Sequence, residues 1–320
     1  RTSVQLGERL FCREDVRVTM EAENGNVTRD LHAELQKSTE VTVAVAVIRT
    51  LTRAIERSTA TTVMGLEKDL HASTEELKRS YPTAISVSAA SELFLRFVTR
   101  TSALDVSDFG YLKQHLIDRG NRFAEISLAA KAKIAELGER FLHGGCVVMV
   151  LGCSSVMLNL LETAASKGKF FTVIVAESKP GTEGLRMYKA LERANIQVTM
   201  ILDAQVAHKL EEVDMVLTGA EAVVESGGII NKVGTYQMTL LAGVKGKPVY
   251  VAAESYKFAR LYPLHQRDLS MATEKVEIGS SELVVPLNDY TPPDNITLLI
   301  TDLGVLTPAA VSDQLIQLYQ

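Results

Sequence analysis

The chain has 320 residues and 46% hydrophobic residues, enough for a substantial core in one large domain or two smaller ones. Its 34 basic and 39 acidic side chains give a net charge of −5. This charge argues against direct binding to nucleic acid, because a phosphate backbone needs a basic face. The sequence holds no apolar run of the ~20 residues that a membrane-spanning helix needs. Three cysteines are too few for a disulfide framework, so reduced thiols are expected.

The first part of the chain carries long helical signals. Apolar residues in 117–142 recur at the spacing of three to four that marks one face of a helix. Residues 91–97 begin with Ser91 as a predicted N-cap, followed by a glutamate in the first turn. The segment 41–48 alternates like a strand, but it lies in a long stretch without Gly or Pro, and we therefore favour a helix. These signals predict a helical domain over 1–143.

From residue 144 onwards, short apolar runs alternate with amphipathic segments, which predicts βαβ units and a buried parallel sheet. Strands are predicted at 146–151, 170–178, 198–203, 213–221, 248–255 and 296–302. A closing helix is predicted over 307–318, with Thr307 as its N-cap and Pro308 as its first residue. The polar segment 270–294 has no clear period and is predicted to be a loop. The fold class is therefore α/β, with the helical domain followed by an open parallel-sheet domain over 144–320.

Ligands of such sheets bind beyond the carboxyl ends of the strands. The first of these turns contains Cys153, Ser154 and Ser155 at the start of a helix. Free N–H groups and hydroxyls at this place suit an anion, although plain N-capping explains the serines equally well. Cys153 is a candidate nucleophile favoured by the helix N-terminus; the alternative is a small buried side chain. Neither the dinucleotide fingerprint GxGxxG nor the P-loop GxxxxGK[ST] occurs.

A second candidate is the stretch Asn231-Lys232 followed by Gly234-Thr235, which precedes a predicted helix. Lys232 can place a point charge on a phosphate, while Thr235 and the N–H groups of the helix complete the cradle. The alternative is a surface lysine on a turn whose Gly and Thr only start the helix.

Three glutamates, Glu177, Glu221 and Glu254, fall at predicted strand ends. Converging carboxylates can do acid–base work or bind sugar hydroxyls. The alternative is that each one only complements the positive end of a helix. The six histidines show no metal-ligand spacing such as HExxH, so no metal site is predicted. No cofactor is predicted either, since the dinucleotide fingerprint is missing.

These strand-end stretches resemble the alpha-subunit family of eukaryotic translation initiation factor 2B. The resemblance rests on VVMVLGCSSVMLNLLETA, VDMVLTGAEAVVESGGIINKVGTYQMTLLA and LITDLGVLTPAAVSDQLIQLY, among others. It implies a helical domain followed by a Rossmann-like sheet domain. This fold is shared with sugar-phosphate isomerases that act on methylthioribose-1-phosphate and ribose-1,5-bisphosphate.

In those isomerases a Cys after the first strand and an Asp in a Gly-Ala-Asp turn carry the reaction. Here Gly152 stands at the Cys position, with Cys153 one place along, and the turn reads Gly219-Ala220-Glu221. The resemblance therefore implies a binding descendant of an enzyme fold that keeps a sugar-phosphate pocket. The candidate pocket residues are Cys153, Ser154, Ser155, Glu221, Asn231, Lys232, Gly234, Thr235, Glu254 and Lys257.

The resemblance also implies a function in translation. It indicates a regulatory subunit of the guanine-nucleotide exchange factor for initiation factor 2, located in the cytosol. Two copies pair and bridge halves made of beta, gamma, delta and epsilon subunits, and binding of initiation factor 2 with a phosphorylated alpha subunit inhibits exchange in the cellular stress response. Thr62 and Tyr319 match positions implicated in sensing that phosphorylated partner. The main alternative is an active sugar-phosphate isomerase that uses Cys153 and Glu221; a generic Rossmann-like cofactor enzyme is disfavoured by the missing glycine fingerprint.

Overall fold

The computed structural model describes residues 26–37, 42–81, 85–102, 109–268, 273–278 and 281–319. The chain divides into two compact units, one up to residue 129 and one over 130–318. Within the described ranges, no helix combines the length and the apolar character needed to cross a membrane. Cys12 lies outside these ranges.

The first unit is helical, as the sequence predicts. Its helices are α1 (Asn26–Lys37), α2 (Val43–Arg57), α3 (Val63–Ser80), α4 (Ile85–Ser102) and the first part of α5 (Phe109–Gly138). The ambiguous segment 41–48 belongs to α2, and every side chain from Val43 to Ile48 is buried. The strand-like alternation of valine and alanine has no counterpart in burial, since both residue types are buried alike from Val43 to Ile48.

The prediction that Ser91 caps a helix is wrong. Helix α4 begins at Ile85, so Ser91 lies in its interior and is fully buried. The six residues before it, ISVSAA, are already helical.

The second unit contains the remaining elements. Its strands are β1 (Val147–Leu151), β2 (Thr172–Ala176), β3 (Gln197–Ile201), β4 (Met215–Thr218), β5 (Ala222–Val224), β6 (Ile229–Lys232), β7 (Val249–Ala252), β8 (Phe258–Ala259), β9 (Thr273–Ile278), β10 (Ser281–Pro286), β11 (Asn288–Thr291), β12 (Leu298–Thr301) and β13 (Gly304–Leu306). Its helices after α5 are α6 (Ser155–Ser166), α7 (Glu183–Arg193), α8 (Val206–Lys209), α9 (Thr235–Val244) and α10 (Ala310–Tyr319).

Seven strands form the main sheet in the order β13-β12-β7-β4-β1-β2-β3. All neighbours pair in parallel except β13, which is antiparallel to β12. The chain proceeds from β1 towards β3 on one side and from β4 towards β12 on the other, so the strand order reverses between β1 and β4. The predicted open parallel sheet is therefore confirmed, and ligands of such sheets bind at this reversal point.

A second sheet, in the order β11-β6-β5-β8, lies in the same unit and was not expected. The prediction that 270–294 is a loop is wrong, because β9 and β10 form a hairpin and β11 joins the second sheet. The hairpin exposes apolar side chains such as Val284, so it lacks a clean in–out alternation. Strand β11 is fully buried but largely polar, which hides it from a search for apolar runs.

The closing helix starts later than predicted. Helix α10 begins at Ala310, so Thr307 and Pro308 precede it instead of forming its N-cap and first residue. The N–H groups of Ala310 and Val311 donate to the carbonyls of Thr307 and Pro308 over 3.0 and 3.2 Å. These bonds span three residues, so they close turns before the α-helical spacing sets in.

Candidate functional site

Several strand ends meet around Gly152, directly after β1. The backbone of Gly152 has φ +71°, and an ideal Cβ there would lie 3.6 Å from Ser178 Oγ and 3.9 Å from Lys232 Cγ. An ideal Cβ on Gly219 would lie only 2.9 Å from Ser154 Oγ. The ends of β1, β2 and β4 therefore approach the residue that ends β6 closely enough to build one site.

The start of α6 lies at this meeting point. Ser154 is the N-cap residue, but its side chain makes no cap hydrogen bond, and both Ser154 and Ser155 are partly accessible. The first N–H groups of a helix have no partner within the helix, and the helix dipole favours negative charge there. This end of α6 therefore keeps the features expected of an anion site.

Cys153 lies directly before Ser154 at the start of α6 and is partly buried. Cys146 is free and buried, and burial raises the pKa of its thiol.

The turn after β4 and the end of β6 are joined by an ion pair. Glu221 Oε1 lies 3.2 Å from Lys232 Nζ, and Asn288 Nδ2 donates to the other oxygen of Glu221. Asn288 is opposite Lys232 in the β6–β11 register. The side chains of Lys232 and Glu221 remain 22% and 12% exposed, so solvent can reach the pair.

The loop between β6 and α9 is held by its own hydrogen bonds. Asn231 Nδ2 donates to Thr218 Oγ1 and to Thr235 Oγ1, each over 3.1 Å. Thr235 Oγ1 donates to the carbonyl of Lys232 over 2.7 Å and is completely buried. Gly234 has φ +99°, a conformation that favours glycine. Asn231, Gly234 and Thr235 thus shape the loop, and the side chain of Lys232 is partly accessible.

The N-terminus of α9 is occupied by a carboxylate of the protein itself. Asp289 Oδ2 accepts hydrogen bonds from the N–H groups of Gly234 and Tyr236 over 2.7 and 3.0 Å. These N–H groups belong to the helix start that was predicted to bind a phosphate. Asp289 Oδ1 is buried and has no hydrogen-bond partner. Burial raises the pKa of Asp289 to about 7, although the two N–H groups act in the opposite direction.

Sequence reasoning missed both Asn288 and Asp289. They lie next to each other on β11, where one contacts Glu221 and the other fixes the loop after Lys232. A polar pair on a buried strand gives no apolar period. Its only sequence signal is that two adjacent side chains can each hydrogen-bond to backbone or carboxylate groups.

Glu254 and Lys257 form a buried support behind the Gly219–Glu221 turn. Glu254 is fully buried, accepts a hydrogen bond from Tyr256 Oη over 2.7 Å, and lies 3.4 Å from Lys257 Nζ. Lys257 Nζ also donates to the carbonyl of Ala220 over 2.8 Å. Burial is the largest effect on the Glu254 pKa and raises it, but Lys257, Tyr256 and Lys131 together bring that pKa below its ordinary value. This pair therefore holds the turn that carries Glu221.

The two candidate partner-binding positions lie on helices. Thr62 is the exposed N-cap of α3, and its Oγ1 accepts a hydrogen bond from the N–H of Gly65 over 3.2 Å. Tyr319 is the last residue of α10.

The geometry favours binding of an anion over metal chemistry. Lys232 lies beside a helix N-terminus with two partly accessible serines, and it forms an ion pair with Glu221. Across the part of the chain that the structure describes, no group of three or more His, Cys, Asp or Glu side chains could hold a metal ion.

Known proteins share this chain's sequence and fold. The model of the initiation factor 2 subunit family matches residues 36–308. Translation initiation factor eIF2B subunit alpha of Dictyostelium discoideum is 43% identical over 301 residues, covering 89% of this chain and 94% of that protein. Ribose 1,5-bisphosphate isomerase of Archaeoglobus fulgidus is 33% identical over 249 residues, covering 76% of this chain and 77% of the isomerase.

A solved structure agrees with these matches. The crystal structure of translation initiation factor eIF-2B from Pyrococcus horikoshii OT3 has a TM-score of 0.71 and 26% identity, covering 88% of this chain and 97% of that one. Together with the family match over most of its length, this similarity shows that the chain belongs to the initiation factor 2 subunit family.

Proposed function

We propose that the chain is a regulatory and assembly subunit of the guanine-nucleotide exchange factor for translation initiation factor 2. The observation that carries the proposal is the 43% identity to an eIF2B alpha subunit over 94% of that protein's length. In this proposal two copies pair in the cytosol and bridge the beta, gamma, delta and epsilon subunits. The assembly binds initiation factor 2 differently once the alpha subunit of that factor is phosphorylated.

The geometry of the site supports a role in binding over one in catalysis. Gly152 has no side chain for chemistry, and both carboxylate oxygens of Glu221 are engaged, one by Lys232 and one by Asn288. A general base must be within reach of the proton that it removes and free to accept it. The pocket is proposed to hold a sugar phosphate through Lys232 and the start of α6, with the remaining candidate residues supporting them.

The test of the regulatory role is differential binding. We expect the complete complex to bind initiation factor 2 more tightly when the factor is phosphorylated, and to lose this preference when the chain is left out. A ligand shifts an equilibrium only by binding its states unequally. Equal affinity for both forms in the complete complex would contradict the proposal. Sedimentation of the isolated chain should show a dimer.

The N-cap geometry of Thr62 provides a matched pair of variants for the proposed sensing surface. Serine and aspartate both retain an oxygen that can accept the Gly65 N–H, so Thr62→Ser and Thr62→Asp should both keep α3. Only Thr62→Asp adds a negative charge, which should weaken binding of the phosphorylated partner through repulsion. Equal binding by the two variants would exclude Thr62 from that surface.

An active isomerase is the second candidate, and the 33% identity to a ribose 1,5-bisphosphate isomerase favours it. The isolated chain is assayed with ribose 1,5-bisphosphate and with methylthioribose-1-phosphate. We expect no turnover. Turnover that is abolished by Glu221→Gln would replace the regulatory proposal with the enzymatic one.

A further inference from the structure

The cation of the candidate pocket already has an anionic partner. Lys232 Nζ lies 3.2 Å from Glu221 Oε1. The pair is partly accessible, and an ideal Cβ on neighbouring Gly152 would lie 3.9 Å from Lys232 Cγ. Lys232 therefore lies near the start of α6, where an anion would also profit from free N–H groups.

Glu221 is held in this position from three directions. Its N–H donates to the carbonyl of Ile230 over 2.9 Å, and Asn288 Nδ2 donates to its second carboxylate oxygen. Behind the turn, Lys257 Nζ donates to the carbonyl of Ala220 over 2.8 Å. The carboxylate is thus fixed beside Lys232 by the backbone, by a neighbouring strand and by a buried lysine.

The other nearby set of helix N–H groups is not available. Asp289 Oδ2 accepts from the N–H groups of Gly234 and Tyr236, so a carboxylate of the protein covers the start of α9. An incoming anion therefore has Lys232 and the start of α6 as its attractive groups, and it has to share Lys232 with Glu221.

From this arrangement we propose that Glu221 is an affinity-setting residue, an internal competitor that an anionic ligand must displace from Lys232. The inference rests on the proposed sugar-phosphate pocket and assigns to Glu221 a role opposite to that of a ligand-binding group. A phosphate that reaches Lys232 brings its charge next to the fixed carboxylate, and like charges repel at this range. The residue therefore keeps the affinity for phosphates low, and removal of its charge removes this competition for Lys232.

The experiment compares anion binding by the wild-type chain and by Glu221→Gln. The glutamine keeps the size of the side chain and an oxygen that can accept from Asn288, but it loses the charge that binds Lys232. The probes are inorganic sulfate, which has no sugar hydroxyls, and ribose 5-phosphate, each titrated by calorimetry at fixed ionic strength. Neutral ribose is the control ligand.

The control variant is Glu211→Gln. It removes the same charge from another Glu–Lys pair of the same unit, in which Glu211 lies 3.1 Å from Lys245. Should Glu221→Gln not fold, Glu221→Asp takes its place, since it withdraws the carboxylate from Lys232 by about one methylene.

We expect Glu221→Gln to bind sulfate and ribose 5-phosphate about two- to fivefold more tightly than the wild-type chain, the range of a partly accessible ion pair. Glu211→Gln should leave both affinities unchanged, and Lys232→Ala should remove the gain from Glu221→Gln. Binding that appears only in Glu221→Gln also supports the inference.

Two results would overturn the inference, and they have different consequences for the proposed pocket. If the wild-type chain binds ribose 5-phosphate through Lys232 and Glu221→Gln binds it equally or more weakly, the pocket stands and Glu221 is not a competitor. If neither protein binds either probe, both the inference and the proposed pocket are wrong.

Discussion

Asp289 should make the stability of the protein depend on pH in an unusual direction. The side chain is nine-tenths buried, accepts two backbone N–H groups through Oδ2, and leaves Oδ1 without a hydrogen-bond partner. Burial raises its pKa from 3.8 to about 7. Between these values the folded protein holds a proton that the unfolded chain has released, so the stability from Asp289 is complete below about pH 4 and is lost as the pH rises through 7.

The magnitude follows from the two pKa values. At 1.36 kcal/mol for each pH unit, the rise from 3.8 to about 7 corresponds to about 4 kcal/mol, of which roughly 2–3 kcal/mol falls between pH 5 and pH 8. Asp289→Asn keeps an oxygen for the two N–H groups but cannot titrate. The free energy of unfolding of the variant, relative to the wild type, should therefore rise by about 2–3 kcal/mol from pH 5 to pH 8.

The assay is urea unfolding of both proteins at pH 5, 6, 7 and 8, followed by circular dichroism. Asp268→Asn is the matched control, because Asp268 Oδ2 also accepts two backbone N–H groups, each over 2.8 Å, but at the surface. Those N–H groups lower the pKa of Asp268, so its contribution changes only in the acid range below pH 4. If the difference between Asp289→Asn and the wild type is flat from pH 5 to pH 8, Asp289 is ionised throughout and the reasoning is wrong.

Three further substitutions test the supports of the site by denaturant unfolding. Lys257→Met removes the cation next to the buried carboxylate of Glu254 and should lower the free energy of unfolding by about 3–5 kcal/mol. An equal loss of stability at pH 4 and at pH 8 would argue against an electrostatic cause. Gly227→Ala should cost more than the control Gly246→Ala: both glycines have positive φ, but only at Gly227 would an ideal Cβ lie 2.1 Å from a backbone oxygen. Thr235→Val should cost about 1–3 kcal/mol because a buried amide donor and a carbonyl lose their partner, and Thr235→Ser should retain most of the stability.

The main sheet could be predicted because its inner strands are buried on both faces. Val147–Leu151 and Thr172–Ala176 are almost entirely apolar and are followed by amphipathic helices, which is the pattern of a parallel sheet. Helix α2 was harder, since its six buried residues from Val43 to Ile48 alternate in size but not in burial. The absence of Gly and Pro from this stretch favoured a helix, and the structure confirms the helix.

The second sheet and the closing details of the site could not be predicted. Strand β11 buries Asn288, Asp289 and Thr291, and its stability in the sheet depends on hydrogen bonds to residues far away in sequence. Apolar periodicity carries no information on such pairs. For the same reason the sequence identified Lys232 and Glu221 as neighbours of a pocket but did not reveal that they bind each other.

The assignment of helix starts shows the limits of local signals. Ser91 is followed by a glutamate, as an N-cap often is, yet the helix continues through it. The residues before it, ISVSAA, are equally compatible with a helix. Thr307-Pro308 is an equally good start signal, and the helix nevertheless begins at Ala310 after a tighter turn. In both cases the surrounding packing, which the sequence does not show, decides where the helix begins.

In the proposed function, this chain makes nucleotide exchange sensitive to phosphorylation of initiation factor 2. The most direct measurement is the rate of guanine-nucleotide exchange by the beta, gamma, delta and epsilon subunits, with and without the chain, in the presence of phosphorylated initiation factor 2. We predict strong inhibition when the chain is present and little inhibition when it is left out. Equal inhibition in both mixtures would contradict the proposed function.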